Sequence, residues 1–233
     1  MIALVVFDIA GTTVRDDDAV AASLRAALAA VDVPASDAAV NAVMGLPKPQ
    51  ALRALLTPAA RAAALLPRLD AIHADFVARM IDHYRRAPGI AEVPGAGAVF
   101  AALRAAGVRV GLDTGFSRDI TDALLARLGW RVGETIDASV TSDEVARGRP
   151  HPDMIEALMA ACGVADAARV AKVGDTPADL QQGTAAGCAM VIGVTSGTHR
   201  REVLARCPHT HLVESVRDVP RLLGLRPPAA SGR

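Results

Sequence analysis

The chain is 233 residues long and 52% hydrophobic, enough length and apolar content for a sizeable buried core, either one large domain or a domain with an insertion. Lys+Arg and Asp+Glu balance at 25 each, so the net charge carries no nucleic-acid and no anionic-membrane footprint, and the expected partner is a small molecule. Cys162, Cys188 and Cys207 are odd in number, far apart and without a CxxC pair, which leaves no basis for a disulfide framework or a cysteine zinc site.

The first predicted element is a strand, IALVVFD, residues 2–8. It is too short for a membrane span or a signal-peptide core and no basic residue precedes it, so a cytoplasmic protein is expected. Residues 17–90 then carry only helical signals, AVAASLRAALAAV, SDAAVNAVMG, PQALRALL and RLDAIHADFVARMIDHYRR, which predict a small inserted helical bundle. Next come a helix, GAGAVFAALRAAG, and a strand, VRVGLDTG at 108–115. Two more helices follow, RDITDALLARLGW and PDMIEALMAACG, then two strands, ARVAKVGDT at 168–176 and CAMVIGV at 188–194. Short apolar runs rich in Val and Ile read as buried parallel strands. Their alternation with helices predicts an α/β fold, a doubly wound parallel sheet with a Rossmann-like core, carrying an inserted α-helical cap. The expected boundaries are 1–15 and 95–225 for a discontinuous core, 16–94 for the cap and 226–233 for a flexible tail.

In an open parallel sheet, ligands bind beyond the carboxyl ends of the strands. Asp8, Thr114, Asp175 and Asp179 are all predicted to gather there, joined by Arg149 from ARGRPHP. Any one acid or glycine after a strand is ordinary turn chemistry; the set is what points to a site. Carboxylates from different strand ends suit Mg2+, and Thr114, neighbouring backbone amides and Arg149 suit phosphoryl oxygens. Asp16, Asp17 and Asp18 read as a solvated helix start, and the histidines show no metal-binding spacing, with His151 alone near the predicted site.

Of the 25 Lys and Arg residues only Lys48 and Lys172 are lysine. Arginine cannot replace lysine where a neutral amine is needed, so the two survivors are candidates for such a role. Lys48 lies in VMGLPKPQ, where the flanking prolines predict a rigid, non-helical presentation and Met44 and Leu46 are placed to desolvate its amine.

The segments FDIAGTT, LDTG, GRPHP and VGDTPAD resemble, in order and across the whole predicted core, the four motifs of the haloacid dehalogenase (HAD) superfamily. Within it, DIAGTT together with MGLPK resembles phosphonoacetaldehyde hydrolase and its phosphonatase-like relatives. The resemblance implies a Mg2+-dependent hydrolase in which Asp8 attacks phosphorus and Lys48 forms a Schiff base with the substrate carbonyl. Asp8, the Ala10 backbone carbonyl, Asp175 and Asp179 are then the metal site, and Thr114 and Arg149 steady the transferring oxygens. Gly11, Thr12, Met44, Gly115 and Phe116 are expected to bind substrate, closure of the cap about hinges near Asp16 and Pro94 is expected to bring Lys48 over Asp8, and a homodimer is implied.

Most phosphatases of the superfamily carry a second Asp two residues after the nucleophile to protonate the leaving alkoxide, and here that place is Ala10. A carbon–phosphorus bond needs no such acid, because an iminium beside the departing carbon accepts its electron pair as an enamine. The chain departs from the phosphonatase pattern at Ala51, where a histidine is usual three residues after the lysine, and at Phe116, where a tyrosine is often found. Two alternatives stay open, a HAD phosphatase acting on a small phosphate ester with Lys48 as an anion binder, and a non-catalytic phosphate-binding HAD-like protein.

Overall fold

A computed structural model describes residues 1–225 of the chain, so the predicted tail at 226–233 lies outside the described residues. Strand β1 (Leu4–Asp8) is followed by five helices, α1 (Ala19–Ala29), α2 (Asp37–Ala42), α3 (Lys48–Leu56), α4 (Ala62–Leu65) and α5 (Leu69–Arg86). After α6 (Ala96–Ala105) come β2 (Arg109–Thr114), α7 (Arg118–Leu128), β3 (Ala138–Thr141) and α8 (Asp153–Cys162). The chain then forms β4 (Val170–Gly174), α9 (Pro177–Ala185), β5 (Met190–Val194), α10 (Arg201–Leu204), β6 (His211–Val213) and α11 (Val219–Leu222).

The six strands form one sheet in the order β3-β2-β1-β4-β5-β6 with every pairing parallel. β1 lies inside this order and all five of its residues are buried, as an apolar run covered on both faces requires. Alternation splits its side chains between two layers. Val5 and Phe7 pack with Val99, Phe100 and Leu103 of α6, whereas Leu4 and Val6 pack with Ile155 and Leu158 of α8. The rings of Phe7, Phe100 and Trp130 continue the first layer, with centroids 5.3 Å and 5.0 Å apart along the row.

Two strands were not predicted. β3 and β6 are the short strands at the two edges, each with half-buried residues, so neither shows the continuous apolar run of a central strand. Register brings Asp8 level with Asp113, so neighbouring strands end on two acids side by side.

Helices α1 and α3 both pack on α5, and Leu24, Leu28, Leu52, Phe76 and Met80 share one apolar cluster with the sheet's first layer. α5 also packs against α7. The two crossings between this helical segment and the rest lie side by side: the Arg15 amide donates to Ala91 O at 3.1 Å and the Val93 amide to Thr13 O at 2.9 Å. The acidic run is not uniformly solvated, for Asp17 and Asp18 are exposed whereas Asp16 is half-buried and accepts the Val20 amide at 3.1 Å. Among the described residues no helix is long and apolar enough to cross a membrane.

Lys48 was expected outside a helix and instead opens one, with Pro47 at the N-cap and Pro49 in the first turn of α3. The physical reason is that first-turn amides have no intrahelical acceptor, so proline there loses nothing and its fixed φ suits the helix. The prolines thus start a helix where they were read as preventing one.

Candidate active site

Asp8 ends β1 at a tight turn, in which the Thr13 and Val14 amides both donate to Ile9 O at 2.9 Å. Gly11 adopts φ +87° within it, and a Cβ there would collide with the Asp175 carboxylate, so the turn needs glycine on two counts. Thr12 Oγ1 donates to Asp175 Oδ1 at 2.8 Å, and the Thr198 amide donates to Asp175 Oδ2 at 2.6 Å. Asp179 sits in the first turn of α9 as half of a capping box, in which Thr176 Oγ1 accepts its amide and Asp179 Oδ2 accepts the Thr176 amide at 3.2 Å.

Arg149, 1% exposed, is the hub of the charges. Its Nη1 lies 2.6 Å from Asp8 Oδ1 and 3.1 Å from Asp179 Oδ1, while Nη2 lies 2.5 Å from Asp113 Oδ1 and donates to Asp113 O at 2.8 Å. Lys172 Nζ, fully buried, bridges Asp113 Oδ1 and, at 3.0 Å, Asp179 Oδ1. The sequence had marked Lys172 only by the scarcity of lysine and had not placed Asp113 at all. A signal was available for both, since each is a charge next to apolar residues within a strand, and such a charge, once buried, must meet a counter-charge.

Asp8, Asp175 and Asp179 each offer a carboxylate oxygen within 4.8 Å of the others, and all three are buried. Burial, against the pull of Arg149 and with the neighbouring Asp179 and Asp175 adding to it, pushes Asp8 up to about 8. Burial also raises Asp175, whereas Asp179 is held below the usual range because Arg149 and Lys172 outweigh its burial. Three close, buried, all-oxygen donors with two of them pushed toward protonation are what a hard divalent cation would relieve, so the residues present fit Mg2+.

Lys48 closes the site from the helical side. It is 3% exposed, its Nζ donates to Leu46 O at 3.3 Å and stands 5.5 Å from the Phe116 ring centroid, and its amide donates to Gly115 O at 3.3 Å. Burial, helped by the charge of Arg149 and opposed by Asp8 and Asp16, lowers its amine to about 8. Asp8, Ala10, Met44, Lys48, Thr114, Gly115, Phe116 and Arg149 line one narrow cavity of about 20 Å3. Of the substrate-binding expectations Met44, Gly115 and Phe116 line it and Gly11 and Thr12 do not; the Thr12 hydroxyl is bonded to Asp175 Oδ1 and Gly11 packs against the same carboxylate. His151 is exposed, and Ala51 is fully buried on α3 among apolar side chains without lining the cavity.

The model of a hydrolase family, haloacid dehalogenase-like hydrolase, matches residues 2–187. The chain belongs to this family. Among relatives of this haloacid dehalogenase-like hydrolase, a phosphoglycolate phosphatase of Rhodospirillum rubrum is 34% identical over 81% of the chain and 78% of its own length. A phosphonoacetaldehyde hydrolase of Bacteroides fragilis is 30% identical over 67% of the chain and 61% of its own length. The crystal structure of a phosphonoacetaldehyde hydrolase-like protein from Oleispira antarctica superposes with a TM-score of 0.83 at 21% identity, covering 96% of this chain and 91% of that one, a likeness of fold.

In this haloacid dehalogenase-like hydrolase the lowered amine is directly observable, because only two lysines exist. With lysine labelled at Cε by 13C, the Lys48 resonance is expected to titrate with a midpoint of about 8. Above that midpoint the amine is free, so condensation with a carbonyl should quicken as pH rises through it. A midpoint near the ordinary lysine value of about 10.4 would show a solvated amine.

Proposed function

We propose that this hydrolase cleaves the carbon–phosphorus bond of phosphonoacetaldehyde or a closely related 2-oxophosphonate. The observation that carries the reading is Lys48, a buried amine lowered to about 8 that shares one cavity with Asp8, while Ala10 stands where a leaving-group acid would be. An anion-binding lysine would be expected to stay solvated and protonated; a desolvated one suits imine chemistry.

In the proposed sequence Lys48 Nζ condenses with the substrate carbonyl and water leaves. The Asp8 carboxylate attacks phosphorus, the carbon–phosphorus electron pair passes into the iminium, and an enamine on Lys48 and an aspartyl phosphate on Asp8 result. Protonation at carbon and hydrolysis free the aldehyde and the amine, and water releases phosphate from Asp8. Arg149 Nη1, 2.6 Å from Asp8 Oδ1, and Thr114 are the groups in reach of the transferring oxygens. Mg2+ held by Asp8, Asp175, Asp179 and the Ala10 carbonyl would supply positive charge against Asp8 and the phosphoryl group. With Ala51 in place of a histidine, proton transfers fall to water or to the substrate's own phosphonate.

The identity to a phosphoglycolate phosphatase favours a second reading, hydrolysis of a small phosphate ester with Lys48 as an anion binder. One experiment separates them. The chain with Mg2+ is given phosphonoacetaldehyde or 2-phosphoglycolate, with and without borohydride, which reduces an imine to a stable adduct. Equimolar acetaldehyde and phosphate from the first, with borohydride inactivation and an added mass on the Lys48 peptide, are expected. Turnover of 2-phosphoglycolate alone, insensitive to borohydride, would overturn the first reading in favour of the second.

A further inference from the structure

Lys48 reaches the cavity on a short loop, Gly45–Pro47, and that loop is received by the rest of the molecule at three glycine contacts. A Cβ on Gly115 would lie 2.6 Å from Leu46 O, closer than real Cβ atoms come to a backbone oxygen. Gly45, at φ +84°, lies against Thr176, whose Cβ would be 3.0 Å from a methyl placed there. Opposite them a Cβ on Gly148 would overlap Pro47 Cγ while standing 3.5 Å from Pro47 Cβ, an ordinary contact. Gly115 and Gly148 come from segments far from the loop in sequence and Gly45 from the loop itself, and at each the absence of a side chain lets the loop settle where it does.

Gly148 differs from Gly45 in that its φ is not in the left-handed region, so its backbone does not require glycine, and from Gly115 in that the atom it would overlap belongs to a side chain rather than to the backbone. Its remaining neighbour within reach, Ser142 Cβ at 3.3 Å, is tight but not overlapping. The demand for glycine at this position therefore comes chiefly from the proline one residue before Lys48. We propose that Gly148 is a positioning residue, a seat for Pro47 that sets how deeply the Lys48 loop settles over Asp8.

The functional side of this inference rests on the imine reading of Lys48; the seat itself does not. Adding one methyl at Gly148 lifts Pro47, and with it the first residue of α3. The lift withdraws Lys48 from Phe116 and from the apolar cover that keeps its amine dry. The charged groups that act on that amine are Arg149, Asp8, Asp16 and Asp179, of which Arg149 and Asp8 line the cavity with it. Removing Pro47 Cγ gives the added methyl its space back, so the pair of changes compensates where either acts alone.

The test uses the full chain with lysine labelled at Cε by 13C, in Gly148→Ala, Pro47→Ala and the double variant. In Gly148→Ala the Lys48 midpoint is expected to move up from about 8 toward the ordinary value of about 10.4, and kcat/KM for phosphonoacetaldehyde to fall about 10²-fold, mainly in kcat. The double variant should bring both back close to wild type. The Lys172 resonance reports on the buried charge cluster beside the loop, because its ammonium shares Asp113 Oδ1 and Asp179 Oδ1 with Arg149, the residue after Gly148. An unmoved Lys48 midpoint in Gly148→Ala, or a displaced one that Pro47→Ala does not restore, overturns the proposal. Should the Lys172 resonance shift too, the methyl has disturbed that cluster through Arg149, and Pro47→Ala alone decides: a raised Lys48 midpoint with Lys172 unmoved supports the seat, an unmoved one overturns it. The titration uses no substrate, so expected midpoints with no acetaldehyde released would sink the imine reading and leave the seat standing.

Discussion

Lys48→Arg is expected to abolish release of acetaldehyde and phosphate from phosphonoacetaldehyde, a loss on the order of 10⁴-fold in kcat/KM. The substitution keeps the positive charge and most of the length of the side chain, and its stem can still lie on Phe116. What it removes is the neutral amine, because a guanidinium stays protonated in proteins. Binding of the phosphonate by charge would therefore survive and the imine would not, which is why this replacement is more telling than one to alanine. The accompanying expectation is that borohydride no longer inactivates the variant in the presence of substrate. Retention of a tenth or more of wild-type activity would show that charge alone suffices at this position, and would count for the phosphate-ester reading.

Lys172→Met is expected to cost about 3–5 kcal/mol of folding stability, read as a fall in the urea midpoint with an unchanged slope. Lys172 is fully buried and its ammonium is shared between Asp113 Oδ1 and Asp179 Oδ1. Without it Asp113 and Asp179 keep Arg149 as their counter-charge, and among the described residues Asp113 already has one buried oxygen, Oδ2, without a partner. Methionine fills nearly the same volume, so the loss is one of charge compensation rather than packing. Pairing it with Asp113→Asn should recover part of the stability, since one of the stranded charges goes too. A midpoint that hardly moves would mean that water or an ion already serves these carboxylates.

Much of this site could be read from the sequence because the fold itself does the gathering. Asp8, Thr114 and Asp175 each follow an apolar run of the kind that makes a central strand, and a parallel sheet brings such ends to one edge. Less legible were features that depend on which face a residue takes. In a strand buried on both sides, alternation of apolar and polar residues is absent, so nothing in VGLDT or VAKVG says that Asp113 and Lys172 point at each other. Edge strands β3 and β6 failed for the opposite reason, being too short and too polar to stand out. The prolines around Lys48 were ambiguous, since proline both breaks a helix from within and begins one from its first turn. Contacts such as Pro47 with Gly148 join segments that no local pattern connects.

The side-by-side crossings at Thr13–Arg15 and Ala91–Val93 have a consequence for how such a protein changes over time. The chain departs from the sheet and rejoins it at one place, so the stretch between behaves as a graft on a single stem. A replacement of different length or sequence, with its ends one strand spacing apart, could be spliced there without altering the order of any strand. Asp8, Asp175 and Asp179 lie on one side of that junction and Lys48 on the other. On the proposed reading, leaving-group preference could therefore be exchanged wholesale by recombination, while the carboxylate cluster is inherited intact.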